Sequence, residues 1–167
     1  MTSASLVIES MDVRTPEAVL LIARLSEELG RRYGDDGSGY FRPEDVEGPR
    51  SGFLVARWDG QAVGCGAFRP LDETTAEIKR MFVEPAFRRR GISRRVLTAL
   101  EDAARQAGYM TIRLETGTIQ HEALGLYQSA GYHRIKCYGH HKDDPRSVCF
   151  EKVLSEKGVG PHLCEDP

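Results

Sequence analysis

Five of the 18 arginines in the chain fall between Arg88 and Arg95, and three of them open the run Arg88-Arg89-Arg90-Gly91-Ile92-Ser93. This run stands between an apolar segment that ends at Glu84-Pro85 and a strongly amphipathic segment that begins at Ile92. A glycine in a strand-to-helix turn lets successive backbone N–H groups converge. With the positive end of the helix dipole they make a site suited to an anion such as a pyrophosphate. Arginines beside it add charge and fork-shaped donors for phosphate oxygens. On its residues alone the run has three readings: a solvated helix cap, a nucleic-acid patch and a phosphate-ligand site.

Other reactive residue types are less pointed. His140-His141 followed by Asp143-Asp144 brings metal ligation to mind, but adjacent histidines project differently and no third ligand motif accompanies them. The plain reading is a polar loop between two final strands. His121 reads as a solvated residue at a helix start. Cys65, Cys137, Cys149 and Cys164 lie far apart and form no CxxC pair, which predicts reduced thiols and neither a disulfide framework nor a zinc site. Cys65 and Cys149 fall inside apolar strands and read as core residues. Trp58 reads as packing beside an Asp-Gly turn.

The elements that must position these residues follow from periodicity. Leu6 to Glu9 reads as a first strand, and Thr15-Pro16-Glu17 is a helix start with proline at its first position. An apolar face then continues from Val19 to Leu29 at helical spacing and stops at Gly30. Gly34 to Pro49, rich in glycine and acids, reads as a loop with one helical turn after Pro43, suited to a lid or substrate wall. Phe53 to Trp58 and Gln61 to Phe68 flank Asp59-Gly60, a hairpin signature, and Ala76 to Val83 adds a third strand. Ile92, Val96, Leu97, Leu100, Ala103, Ala104 and Ala107 keep one face of a helix that ends at Gly108. Met110 to Glu115 reads as a strand, Glu122 to Ala130 as a helix, and Tyr132 to Tyr138 and Val148 to Leu154 as two last strands. The chain therefore reads as one mixed α/β domain over 1–154, with a frayed tail over 155–167.

Composition limits the function. The chain has 167 residues, 40% of them hydrophobic and 29% charged, with 23 Lys+Arg against 25 Asp+Glu and a net charge of −2. A chain of this size can bury about 70% of its extended surface, and its composition is not that of a disordered protein. No apolar run approaches the roughly 20 residues a membrane span requires, and no secretory pattern opens the chain, so a cytoplasmic protein without a membrane partner is expected. The near-neutral charge argues against a dedicated nucleic-acid binder.

The chain resembles the GNAT superfamily of N-acyltransferases. Its acyl-CoA loop has the pattern R/Q-x-x-G-x-G/A, matched here by Arg88, Gly91 and, as a departure at the last place, Ser93. Ala76 to Pro85 resembles the family's fourth strand, and Leu114-Glu115-Thr116-Gly117 its fifth. Gln120 through Tyr132, with Ala123, Leu126-Tyr127 and Ala130-Gly131-Tyr132, is similar to its N-x-x-A-I-x-L-Y-x-x-x-G-F/Y segment, with Gln120 for the usual Asn. The similarity covers about residues 52–154 in order and in register.

That resemblance implies a single domain around a mostly antiparallel sheet of six to seven strands, splayed between the fourth and fifth and flanked by about four helices. It implies an acetyl-CoA-dependent N-acetyltransferase that needs no metal and works by direct attack in a ternary complex. A small primary amine is the expected acceptor. A protein or peptide acceptor is the alternative, and a non-catalytic acyl-CoA-binding module another. A homodimer is the family-based expectation.

By the same resemblance Arg88, Arg89, Arg90, Gly91, Ile92 and Ser93 hold the pyrophosphate, the backbone of Met81, Phe82 and Val83 pairs with the pantetheine arm, and Gln120 helps to position it. Tyr127 matches the tyrosine that donates to the departing sulfur. An alkylammonium is neutral only to about one part in two thousand at pH 7, so its proton needs a base. Glu77, fourteen residues ahead of Gly91, matches a position where some members carry one. Strict alternation would set Glu77, Lys79 and Met81 on one face of the strand and Ile78, Arg80 and Phe82 on the other.

Overall fold

The computed structural model describes residues 3–155. The expected tail beyond Ser155 and Cys164 lie outside the described residues. Seven strands form one sheet in the order β1-β2-β3-β4-β5-β7-β6. They are β1 (Leu6–Ser10), β2 (Gly52–Trp58), β3 (Gln61–Pro70), β4 (Thr75–Val83), β5 (Thr111–Gly117), β6 (His133–Ile135) and β7 (Ser147–Val153). All neighbours are antiparallel except β4 and β5. The helices are α1 (Pro16–Tyr33), α2 (Ile92–Gln106) and α3 (His121–Ser129), three where about four were expected, supplemented by short 3₁₀ turns.

Local chemistry explains the boundaries. Thr15 caps α1 by accepting from the Ala18 N–H at 3.4 Å, and Gly34, at φ 73°, ends it in the left-handed conformation. The β2–β3 hairpin turns on Asp59 (φ 48°) and Gly60 (φ 86°), as a two-residue primed turn requires. The strand read over Tyr132 to Tyr138 is shorter than expected, because β6 keeps only three residues before a 3₁₀ turn at Gly139–His141.

The two faces of the sheet have separate cores. On one side Val96, Leu97, Leu100 and Ala104 of α2 pack on Ala56, Val63, Ile78 and Val83, and this core continues to Tyr127, Tyr132 and Phe150. On the other side Ala18, Leu21 and Leu25 of α1, with Phe41 and Val46, cover Phe53, Val55, Cys65, Ala67 and Phe82. Glu101 of α2 is buried, and its carboxylate accepts from Tyr132 Oη at 2.9 Å and from Lys152 Nζ at 3.0 Å.

Three departures from the expected fold matter for the site. First, Cys65 pairs with Phe82 while Ala67 pairs with Lys79, so β4 carries one extra residue, and Arg80 sits there at φ 56°. This bulge breaks the expected alternation. Met81 packs with Val83 and Ile78 on the α2 side, whereas Glu77, Lys79, Arg80 and Phe82 turn to the α1 side. Second, β4 and β5 pair only over Thr75–Ile78 and Thr111–Leu114, although both strands run on to Val83 and Gly117. Beyond Ile78 they diverge. Third, Cys137 and Cys149 are joined in a disulfide, with Cα atoms 5.1 Å apart, which corrects the expectation of reduced thiols there. Twelve residues separate them in sequence, but the β6–β7 pairing that sets Ile135 beside Cys149 brings them together. Cys65 is free and buried, as expected of a core residue.

Candidate active site

Where β4 and β5 diverge, a cleft of about 830 Å³ opens between them. One end is the turn before α2. Arg89 (φ 64°) and Gly91 (φ 77°) both take left-handed backbone conformations, and Gly91 is the N-cap of α2 without a side-chain cap. The first N–H groups of α2 therefore have no intrahelical acceptor. Apart from its own stretch of chain, no atom of the described residues lies within 4 Å of where a Gly91 Cβ would stand. Unclaimed donors at a helix N-terminus, with open space before them, fit a pyrophosphate group.

The arginines of this run have separate tasks. Arg88 donates from Nε to the Val83 carbonyl at 2.9 Å and from Nη2 to both carboxylate oxygens of Glu28 at 2.9 Å. Its side chain, expected at the phosphates, instead clamps the turn to β4 and α1. Arg90 lies over Trp58 and Phe87, with its guanidinium carbon 5.0 and 4.9 Å from the ring centres, and does not line the cleft. Arg88, Arg89, Gly91, Ile92 and Ser93 do line it.

Along the middle run Met81, Phe82 and Val83, whose edge towards β5 carries no strand pairing. Apart from the Val83 carbonyl, which Arg88 holds, the backbone groups of that edge suit a chain of amide groups laid between the strands. Across from them Gln120 accepts through Oε1 from the Gly117 N–H at 2.8 Å and from Thr116 Oγ1 at 3.1 Å, so its oxygen shapes the turn after β5. Tyr127 lines the same wall from α3. Its ring packs against Tyr132 and Phe150, and its hydroxyl makes no hydrogen bond to the described residues. Burial, and secondarily Glu115, push its pKa well above the usual phenol range, so the hydroxyl keeps its proton.

The far end is assembled from several elements. Tyr33, the last residue of α1, sets its buried hydroxyl over Gly117, where an added Cβ would collide with it. Arg146 Nη1 donates to the Tyr33 carbonyl at 3.1 Å. The Tyr40 ring packs at a tilt against His140 and His141, with ring centres 5.3 and 5.6 Å apart, which joins the segment after α1 to the β6–β7 loop. Lys79, Glu115 and His141 line this end as well.

Glu77, the expected base, is not in the lining. Its side chain is 4% exposed, Arg69 reaches its Oε1 from Nε at 3.0 Å and Nη2 at 2.8 Å, and Tyr138 Oη donates to its Oε2 at 2.7 Å. Tyr33, Lys79 and Glu115 were not singled out as site residues from the sequence. Only the His140-His141 pair carried a visible signal there. Among the described residues no group of three or more His, Cys, Asp or Glu side chains is placed to hold a metal ion, and no helix is long and apolar enough to cross a membrane.

Comparison with known proteins agrees with this geometry. The model of the acetyltransferase (GNAT) family matches residues 20–132. The IAA acetyltransferase of Azospirillum brasilense is 38% identical over 137 residues, which is 81% of this chain and 90% of that protein. A Klebsiella pneumoniae structure assigned as an acyl-CoA N-acyltransferase superposes with a TM-score of 0.76 at 32% identity, covering 90% of this chain and 98% of the other. A GNAT acetyltransferase from Elizabethkingia anophelis, solved with acetyl-CoA bound, shares the fold with a TM-score of 0.66 at 21% identity over 89% of this chain and 98% of its own. An unclaimed helix N-terminus beside a splayed strand pair, and a family match over most of the sheet, agree: the chain belongs to the GNAT family, the acetyl-CoA-dependent N-acetyltransferases.

Proposed function

We propose that this acetyltransferase acts on a primary amine of a small molecule, by direct attack within a ternary complex. The observation that carries the small-molecule reading is the bridged far end of the cleft. Tyr40 against His140 and His141, and Arg146 against the Tyr33 carbonyl, join the two loops between which an extended peptide would have to lie. A compact amine fits inside that boundary. The A. brasilense relative is named for IAA, which supports a small-molecule acceptor and says nothing of an amine.

When bound, acetyl-CoA supplies an acyl group activated as a thioester and a thiol leaving group of moderate pKa. The chain's own residues bind and orient. The first N–H groups of α2 and the backbone of Arg89 to Ser93 hold the pyrophosphate, and the free edge of Met81 to Val83 aligns the arm. A backbone N–H there polarises the carbonyl as charge develops on its oxygen. The amine nitrogen forms the new C–N bond as the C–S bond breaks. One proton leaves the amine, and Tyr127 gives its hydroxyl proton to the departing sulfur. Glu77 takes part through its contacts with Tyr138 and Lys79, which hold the wall of the cleft.

The test is thiol release from acetyl-CoA across a panel of small primary amines and a set of peptides, with calorimetric titration of acetyl-CoA on the same sample. Turnover with one class of small amine is expected. Acetylation of peptide termini or lysines alone would overturn the acceptor assignment, and binding without turnover of any acceptor would overturn catalysis in favour of a sensor.

A further inference from the structure

Resting on the reading of direct attack by an amine, we infer that His141 is the general base, with Glu115 as the carboxylate that receives its charge. The argument begins with what Glu77 lacks. Two contacts from Arg69 and one from Tyr138 occupy its carboxylate, and it does not line the cleft. A base must come within hydrogen-bond reach of the proton it removes, directly or through one water.

His141 meets that requirement on the acceptor side. It belongs to the 3₁₀ turn Gly139–His141, is 8% exposed, and lines the cleft beside Lys79 and Glu115. Its Nε2 lies 3.5 Å from Lys79 Nζ and 3.7 Å from Glu115 Oε2. An ammonium only donates, so Lys79 favours the tautomer in which Nε2 carries the lone pair and Nδ1 the hydrogen, and the incoming amine must take the place of Lys79 Nζ at that single lone pair. A proton taken up at Nε2 then faces the Glu115 carboxylate, which Ser147 Oγ holds by donating to Oε1 at 2.9 Å. The Tyr40 and Tyr138 rings, 5.6 and 6.4 Å from the imidazole, keep its plane in place.

Burial, more than the surrounding charges, favours the neutral imidazole. Burial is the largest influence and pushes its pKa below the usual range, while Glu115 on β5 acts in the opposite sense. Lys79 on β4 and His140 on the same turn lower it, Glu77 raises it, and Asp144 of the same loop also faces it. A neutral imidazole above that pKa can accept a proton, and as pH falls through it the base is lost. In balanced form, the amine gives one proton to Nε2 as the C–N bond forms, Tyr127 gives one to the sulfur, and solvent exchange restores both groups.

The experiment is the pH dependence of kcat, at saturating acetyl-CoA and acceptor, for the wild type, His141→Asn, Glu77→Gln and Glu115→Gln, with whichever acceptor the panel identifies. The wild type should show one acidic limb, below about pH 6.5, the ordinary histidine value. In His141→Asn kcat should fall about 100-fold, the limb should disappear, and acetyl-CoA affinity by calorimetry should hold. In Glu115→Gln the limb should move to lower pH, because the carboxylate that raises the imidazole pKa is gone. A merely structural histidine would lower activity without removing the limb. Persistence of the limb in His141→Asn, or its loss in Glu77→Gln alone, overturns the assignment. If only peptides accept the acetyl group, the small-amine reading fails while the same profile still decides the base.

Discussion

The two ends of the cleft are built in different ways. The proposed phosphate end is made of five consecutive residues, Arg89 to Ser93, that contribute backbone groups, and its requirement is a strand, a turn with Gly91 at φ 77° and a helix. The acceptor end draws Tyr33 from α1, Lys79 from β4, Glu115 from β5 and His141 from the loop before β7. Backbone donors at a helix start are generic and local, so many sequences can supply them. Side chains gathered from four elements can vary one by one, which lets acceptor choice change without loss of the donor site.

That contrast can be broken first at Gly91. Gly91→Asp puts a Cβ at positive φ and a negative charge against the phosphates. It should weaken acetyl-CoA binding by about 100-fold or more, since 1.4 kcal/mol is a factor of ten, and calorimetry reads it. The acceptor-side residues should be unaffected, which binding of a product amide or acceptor analogue would check.

Tyr127→Phe should do the opposite. Loss of the proton donor should lower kcat by about 30-fold, with the acetyl-CoA Kd unchanged. Equal losses of affinity in Tyr127→Phe and Gly91→Asp would show that the two ends do not work separately.

Arg88 and Arg89 sharpen the contrast inside one motif. Arg89→Ala should weaken acetyl-CoA binding by about tenfold, in line with one charge-assisted contact, and the loss should shrink in high salt. Arg88→Ala removes the bonds to Val83 and Glu28 and should show mainly as a lower unfolding temperature. A steeper salt dependence of binding in wild type than in Arg88→Ala would instead place the Arg88 guanidinium at the phosphates.

The smallest effect is expected at the disulfide. Cys137–Cys149 closes a loop that contains Tyr138, His140 and His141. Reducing it should raise the acceptor KM by about threefold through looser placement of that loop, and lower stability by up to about 3 kcal/mol. The acetyl-CoA Kd should not move. A change in Kd on reduction would mean that the loop reaches the donor site.

Much of this was legible in the residues. Thr15-Pro16 started α1, Asp59-Gly60 turned the hairpin, the Ile92 to Ala104 face set α2, and Arg88 to Ser93 marked the phosphate turn, because each depends on neighbours close in sequence. Tyr127 was legible only through the resemblance of its segment to the family. The strand alternation failed at Arg80, because a bulge is set by how β3 and β4 register rather than by residues close in sequence. The Cys137–Cys149 pairing and the Tyr33–Gly117 contact were likewise invisible, since each joins elements whose spacing says nothing of their approach.

By itself the sequence determined most strands and helices and a strand-to-helix turn suited to an anion, which follow from backbone preferences and short-range periodicity, while the donor chemistry came from its resemblance to the family. Tertiary structure alone decided which carboxylate and which histidine line the cleft. Arg69 and Tyr138 hold Glu77 out of the cleft lining, and the splay of β4 from β5 sets Glu115, Lys79 and His141 along it. The physical reason is range: a hydrogen-bonded turn is fixed within a few residues, whereas side-chain convergence depends on packing between elements far apart in the chain.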